Sequence, residues 1–378
     1  TDGNIADHWV LAARVSLRLW EQVYDRSAER KLRITEQVDR ALKLSQGSIA
    51  ARTTQMRAQA FFGGDEESVR MAKEILREDP NNREALQRML LAHRANGEDA
   101  EANIYRARLR KLPGGDPISM LFDTLRLANR GKMFEAEKSF EELFALSPTR
   151  IVYNLRIELL KDYFLDPKGA VEFVARIPEQ FRTEDAIAGH IANAYISAGR
   201  GEDAVALLKR VPRDYLSEFA FNIPKGLLAG LAHEVAAQPA AAALEWRAAL
   251  ALVEKRLAAD SADLMLLANK AQLQAVLGQK SAALETLRLR NELGGKENPI
   301  AQMHQIRVLV RSGKAQEAVD YLVREWAGAR ISRRCFLVRD LAFLPEYASF
   351  RKEKRVAAMI AEHQAFVQKA RAAPSQSP

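Results

Sequence analysis

The side chains able to do chemistry in this 378-residue chain are few and scattered. Histidines stand at His8, His93, His190, His233, His304 and His363, and no two lie at the spacing of a metal-binding pair. The motifs His-Glu-x-x-His, Cys-x-x-Cys and Gly-x-Ser-x-Gly are absent. The one cysteine, Cys335, follows Arg333 and Arg334, neighbours that would lower a thiol pKa. A small apolar filler on a helix is the weightier reading. Gly-Gly pairs at 63–64, 114–115 and 294–295 lack the spacing and the Lys-Ser/Thr of a phosphate loop. Carboxylates gather at expected helix starts, as in Glu66-Glu67 and Glu202-Asp203, where negative charge suits the helix dipole. The expectation is a chain with no catalytic residue, no metal and no cofactor, and not an enzyme.

The elements that position these residues follow from composition. The sequence is 48% hydrophobic and 28% charged, with only 19 Gly, 13 Pro and 7% aromatic residues, which favours helices over sheets. A single cysteine permits no intrachain disulfide. No run approaches 18 consecutive apolar residues, and the longest, Gly226 to Ala237, is broken by His233 and Glu234. The chain opens on Thr1 with no signal-type n-region, so an upstream anchor, signal or catalytic domain stays open, and the compartment is not assigned.

Order comes from a ladder of glycines. Gly63, Gly97, Gly131 and Gly199 are separated by multiples of 34 residues, with Leu165 on the missing rung. Five residues behind runs a column of small residues: Ser68, Ala102, Ala136, Ala170 and Ala204. A third column is bulky and apolar: Ile75, Leu109, Leu143, Ile177 and Val211. Each unit then reads as two antiparallel helices. Gly permits the left-handed turn between them, the small residue sits where they approach most closely, and the apolar residue buries on the second helix. Breaks such as Asp79-Pro80 and Ser147-Pro148 end the units.

On these residues the chain resembles the tetratricopeptide repeat, best over Ala192–Leu208 and over Gly131–Phe140. The resemblance implies an all-α, right-handed superhelical solenoid of helix–turn–helix repeats with a C-terminal capping helix. Its expected layout is a lead-in helix at 1–14, six 34-residue repeats at 15–218 and three longer ones at 219–328. A basic capping segment at 329–373 and a disordered tail at 374–378 complete it. In the longer stretch Gly230, Ala242 and Trp246 take the matching positions, followed by Gly278 with Ala283 and Gly313 with Ala318.

The resemblance makes the first helices the lining of a partner groove. Helical spacing puts Arg57, Gln87, Leu91, Arg94, Leu121, Leu125, Leu155, Leu159 and Asn193 on that face. Two readings compete for the leucines. They line an apolar groove for a helix or peptide, or they are ordinary core, because Asp123, Glu158 and Lys161 fall where burial is expected, as they would on slipped or rotated helices. Net charge is +8, and the segment 328–356 carries eight Lys/Arg against three acids. Arg330, Arg333, Arg334, Arg351, Lys352, Lys354 and Arg355 are therefore candidates for an anionic partner, weighed against a solvated cap face. The leading expectation is a non-catalytic scaffold or adaptor binding a protein segment, with no small-molecule substrate. The alternatives are the regulatory or sensory region of a larger signalling protein, and a nucleic-acid-associated helical repeat.

Overall fold

The computed structural model describes residues 5–21, 27–218, 221–294 and 299–372. These fall into two compact units, divided in the sequence between Met120 and Leu121, with Ser217 and Glu218 counted with the first. No helix among the described residues is long and apolar enough to cross a membrane.

The first unit consists of helix pairs. These are α1 (Ala6–Glu21) with α2 (Ala28–Leu44), α3 (Ile49–Phe61) with α4 (Asp65–Glu78), and α5 (Arg83–Ala95) with α6 (Asp99–Lys111), before α7 (Pro117–Asn129) begins. Of the lead-in expected at 1–14, residues 6–14 belong to α1, which runs through to Glu21, and residues 1–4 lie outside the described residues. Ser27, Ser48 and Asn82 cap α2, α3 and α5 by accepting a backbone N–H three residues on.

The second unit continues with α8 (Met133–Leu146), α9 (Arg150–Glu158), a π-helical turn (Leu159–Tyr163), α10 (Pro167–Val174) and the short α11 (Glu179–Arg182). Then come α12 (Asp185–Ser197), α13 (Gly201–Lys209), α14 (Lys225–Val235), α15 (Pro239–Leu257), α16 (Leu264–Val276) and α17 (Lys280–Gly294). The last helices are α18 (Pro299–Arg311), α19 (Ala315–Trp326), α20 (Ile331–Phe343) and α21 (Lys354–Ala372). A two-stranded sheet, β1 (Tyr215–Glu218) with β2 (Phe221–Pro224), separates α13 from α14 and is the one sheet among the described residues. The tail expected at 374–378 lies outside the described residues.

The three sequence columns have physical counterparts. Gly63, Gly97, Gly131, Gly199, Gly278 and Gly313 all take left-handed φ, between +75° and +88°. Each lets the next N–H reach back five residues, as in Glu98 N–H to His93 O at 2.8 Å, the closing bond of a helix end. Leu165, on the rung without glycine, adopts the same hand with φ +52°. In the first long repeat the turn residue is Ala237 (φ +56°), five before Ala242. Gly230 is not a turn residue: it lies inside α14 against Trp246, where a Cβ would stand 2.1 Å from the indole nitrogen.

The small column is fully buried, with Ser68, Ala102, Ala136, Ala170 and Ala204 all at 0% exposure, so each helix pair closes onto it. The bulky column from Ile75 to Val211 is buried too. Each such side chain contributes roughly 1.5–3 kcal/mol of transfer free energy.

The C-terminal segment covers α18 and α19 and also returns to the beginning of the second unit. Helix α20 packs on the π-helical turn, and α21 packs on α8. Phe336 meets Tyr163 edge-on at 6.1 Å between ring centres. The Arg371 guanidinium lies 4.6 Å from the centre of the Phe164 ring. Tyr347 and Phe350 point inward and are buried.

Candidate partner-binding face

In the first unit the face of α1, α3 and α5 is built from charged side chains that satisfy one another. Glu21, only 6% exposed, accepts from Arg57 at 2.5 Å and lies 3.4 Å from Arg18. Arg57 also lies 3.7 Å from Glu84 on α5. Arg14 donates to Thr54 at 3.2 Å and stands 3.6 Å from that same Glu84. Gln87 donates its side-chain amide to Asp116 at 3.3 Å, and Asp116 in turn accepts from the Ser119 N–H at the start of α7. Arg94 is half-buried on the same helix.

Two large apolar side chains interrupt this polar surface. Leu91 is 42% exposed, one turn from both Gln87 and Arg94. Phe61 is 47% exposed, one turn beyond Arg57 on α3. Sequence spacing placed Arg57, Gln87, Leu91 and Arg94 together on this face but missed Phe61. The signal for Phe61 was its position four residues after Arg57, hidden by its closeness to the turn at Gly63.

The second unit corrects the groove expectation. Leu155 and Leu159 are core side chains at 3% and 0% exposure, and Leu121 and Leu125 are half-buried. Leu159 opens the π-helical turn. The turn adds a residue to the helix end, closed by Phe164 N–H to Leu159 O at 2.8 Å, and turns Lys161 and Asp162 inward. Asp123 is buried as well, at a position where the unrotated repeat register expects burial. Asn193 spends its amide on Gly189 O of its own helix at 3.0 Å.

The inward charges meet cations and carboxylates of the C-terminal segment. Asp162, 3% exposed, pairs with Lys161 and accepts from Arg339 of α20 at 2.6 Å. Arg339 lies 3.8 Å from Asp340, which is 3.9 Å from Arg307 of α18. Arg307 donates to Gln272 at 2.7 Å and to Glu346 at 2.8 Å. Glu346 also takes Arg311 at 2.9 Å, and Arg311 reaches Glu234 of α14 at 2.9 Å. Burial alone would push the Asp162 carboxyl up, but Arg339 and Lys161 outweigh it and hold it below its ordinary value. This buried chain of alternating charge joins α14, α18, α20 and the π-helical turn.

The same segment uses up much of its own basic charge. Arg333 pairs with Glu325, and Arg334 pairs with Glu362 at 2.8 Å. Arg351 donates to the backbone oxygens of Leu341 and Leu344 at 2.8 and 2.9 Å. Arg355 lies 3.5 Å from Asp320 and 3.3 Å from Glu353. Arg330, Lys352 and Lys354 are the members of the basic set at exposed positions with no ion pair among the described residues. Cys335 is 1% exposed, and burial pushes its thiol up to about 12, away from a reactive thiolate. Burial likewise keeps His304 and His363 neutral, with pKa values lowered to about 3 and about 4. Among the described residues no group of three or more His, Cys, Asp or Glu is placed to hold a metal ion.

No protein-family model and no curated protein matches the sequence. Three solved structures are similar at low identity. The Pseudomonas aeruginosa pilF protein shares 16% identity at a TM-score of 0.35, over 63% of this chain and 97% of that one. The TPR domain of P58(IPK) shares 13% at 0.25, over 85% and 99%. Yeast Tom70 shares 12% at 0.31, over 97% and 96%. At these values the likeness carries no argument about activity or partners. The chain's own helix pairs, with their left-handed turns on a 34-residue ladder, make it a tetratricopeptide-like helical-repeat protein.

Proposed function

We propose that this chain is a non-catalytic protein-binding scaffold and that its partner segment docks on the first-helix face of the first unit, across α3 and α5. The observation that carries this reading is a gradient along one column of the repeat. Leu91, Leu125 and Leu159 follow one another at 34-residue intervals, and exposure falls from 42% at Leu91 to half-burial at Leu125 and 0% at Leu159. Only at Leu91 does an apolar anchor stand open, flanked by the polar groups of Gln87 and Arg94. Together with Phe61 it suits a partner helix or extended peptide that brings an apolar side chain and a few hydrogen-bonding groups.

A photo-crosslinking amino acid at Leu91 tests the reading. The control position is Leu244 of α15, which is 68% exposed on a second helix. A crosslinked partner obtained at Leu91, absent at Leu244 and lost when Phe61 is changed to Asp, supports the docking face. Equal crosslinking at both positions removes it.

A further inference from the structure

Helix α1 carries a second exposed stripe that neither the paired charges nor the repeat core accounts for. Asp7, Leu11, Val15 and Arg18 recur at spacings of four, four and three residues, so they lie on one side of the helix. All four are exposed, Leu11 at 64% and Val15 at 56%. Opposite them, Val10, Ala13 and Leu17 form the buried side against α2 and α3. Arg14 is turned toward Thr54 and Glu84 and does not cover the stripe.

The order of the stripe is self-complementary. It reads acid, apolar, apolar, base. The midpoint of 11 and 15 is 13, and the midpoint of 7 and 18 is 12.5. A two-fold axis across α1 near Ala13 therefore sets Leu11 against Val15 of a second helix. The same axis sets Asp7 against the second helix's Arg18. In an isologous contact each pairing occurs twice, so two apolar contacts are flanked by two opposite-charge contacts. Arg18 is free to swing, since its internal partner Glu21 is at 3.4 Å and already held by Arg57 at 2.5 Å.

We propose that a second copy of this chain docks on α1, antiparallel, through Leu11 and Val15 with Asp7–Arg18 pairs at both ends. The helix has 16 residues, or roughly 24 Å of length. One such helix pair falls short of the ~1,200–2,000 Å² of a standard stable interface. The dimer is therefore weak and reversible, with a dissociation constant above about 1 µM.

Sedimentation velocity on the intact chain from about 1 to about 200 µM reads this directly. The expected result is a concentration-dependent shift from monomer to dimer. Leu11→Asp with Val15→Asp abolishes the shift while far-UV circular dichroism stays unchanged, since both side chains are exposed. Asp7→Arg alone and Arg18→Asp alone each weaken the dimer about 10-fold or more, because each places two like-charge contacts in the interface. The two together restore it. A monomer at every concentration overturns the proposal. So does a dimer indifferent to Leu11→Asp, or a double charge exchange weaker than both single ones.

Discussion

Arg339 donates a hydrogen bond to the Asp162 carboxylate at 2.6 Å across 177 positions of sequence. Few contacts say more about how the second unit holds together. Asp162 sits between two cations, Arg339 and its neighbour Lys161, in a place water does not reach. Removing the carboxylate leaves the buried Lys161 ammonium beside a half-buried Arg339 that keeps the more distant Asp340. Removing Arg339 leaves Asp162 still neutralised by Lys161.

Asp162→Asn should therefore cost more than Arg339→Gln, about 3–5 kcal/mol against a smaller loss. Urea unfolding of the intact chain gives both values. The reverse order would mean that Lys161, and not Arg339, is the dispensable cation.

Acid should weaken the fold in two overlapping windows. His304 and His363 have folded pKa values below the ordinary 6.5, so the unfolded chain takes up protons first as pH falls. Their contribution is whole above 6.5 and shrinks toward about 4 for His363 and about 3 for His304. The lowered pKa of Asp162 adds a further loss below its ordinary 3.8. Melting temperature should drop from pH 6.5 to 4, and less steeply in His363→Gln. Identical slopes in the two proteins would contradict the assignment to His363.

Two leucines of one column should behave in opposite ways. Leu159→Ala empties a core site and is expected to cost about 2–5 kcal/mol. Leu91→Ala, on an exposed site, should stay within about 0.5 kcal/mol. Denaturation curves of the two variants decide it, and a large loss at Leu91 would make that residue structural.

Gly131 and Gly199 share the left-handed turn but not the surroundings. A Cβ on Gly131 would lie 2.7 Å from the Phe366 ring of α21 and 3.3 Å from Ile331, whereas at Gly199 nothing lies within 4 Å. Both Ala variants bear the strain of positive φ, about 1–2 kcal/mol. Gly131→Ala should lose at least about 1 kcal/mol more by forcing the C-terminal segment outward. Equal midpoints would show that α21 does not press on this turn.

The repeat was legible because its rules are local. A glycine that must be left-handed, a small residue at a helix crossing and an apolar residue seven on can all be read from spacing. Even Leu165, the gap in the ladder, keeps the turn's hand. Misplacing one turn at Gly230 came from trusting residue type where Ala237 adopts the strained conformation without glycine. What stayed hidden was non-local. Asp123 and Lys161 suggest rotated helices by their residue type, yet both are buried at the positions due for burial. Nothing in the neighbourhood of Asp162 could announce that its cation is Arg339, nor that α20 would pack on the π-helical turn that holds Leu159. The β1–β2 ribbon was missed because Tyr215–Glu218 and Phe221–Pro224 are four residues each, too short for alternation to register.

The Arg339–Asp162 contact also orders events in time. A growing polypeptide makes Asp162 long before the guanidinium that will neutralise it, so the middle helices emerge with one side unfinished. Completion of the second unit waits for its final stretch to leave the ribosome. A message cut short ahead of α20 would yield a product with greasy flanks uncovered, a substrate for chaperones and proteases and not a shorter working scaffold.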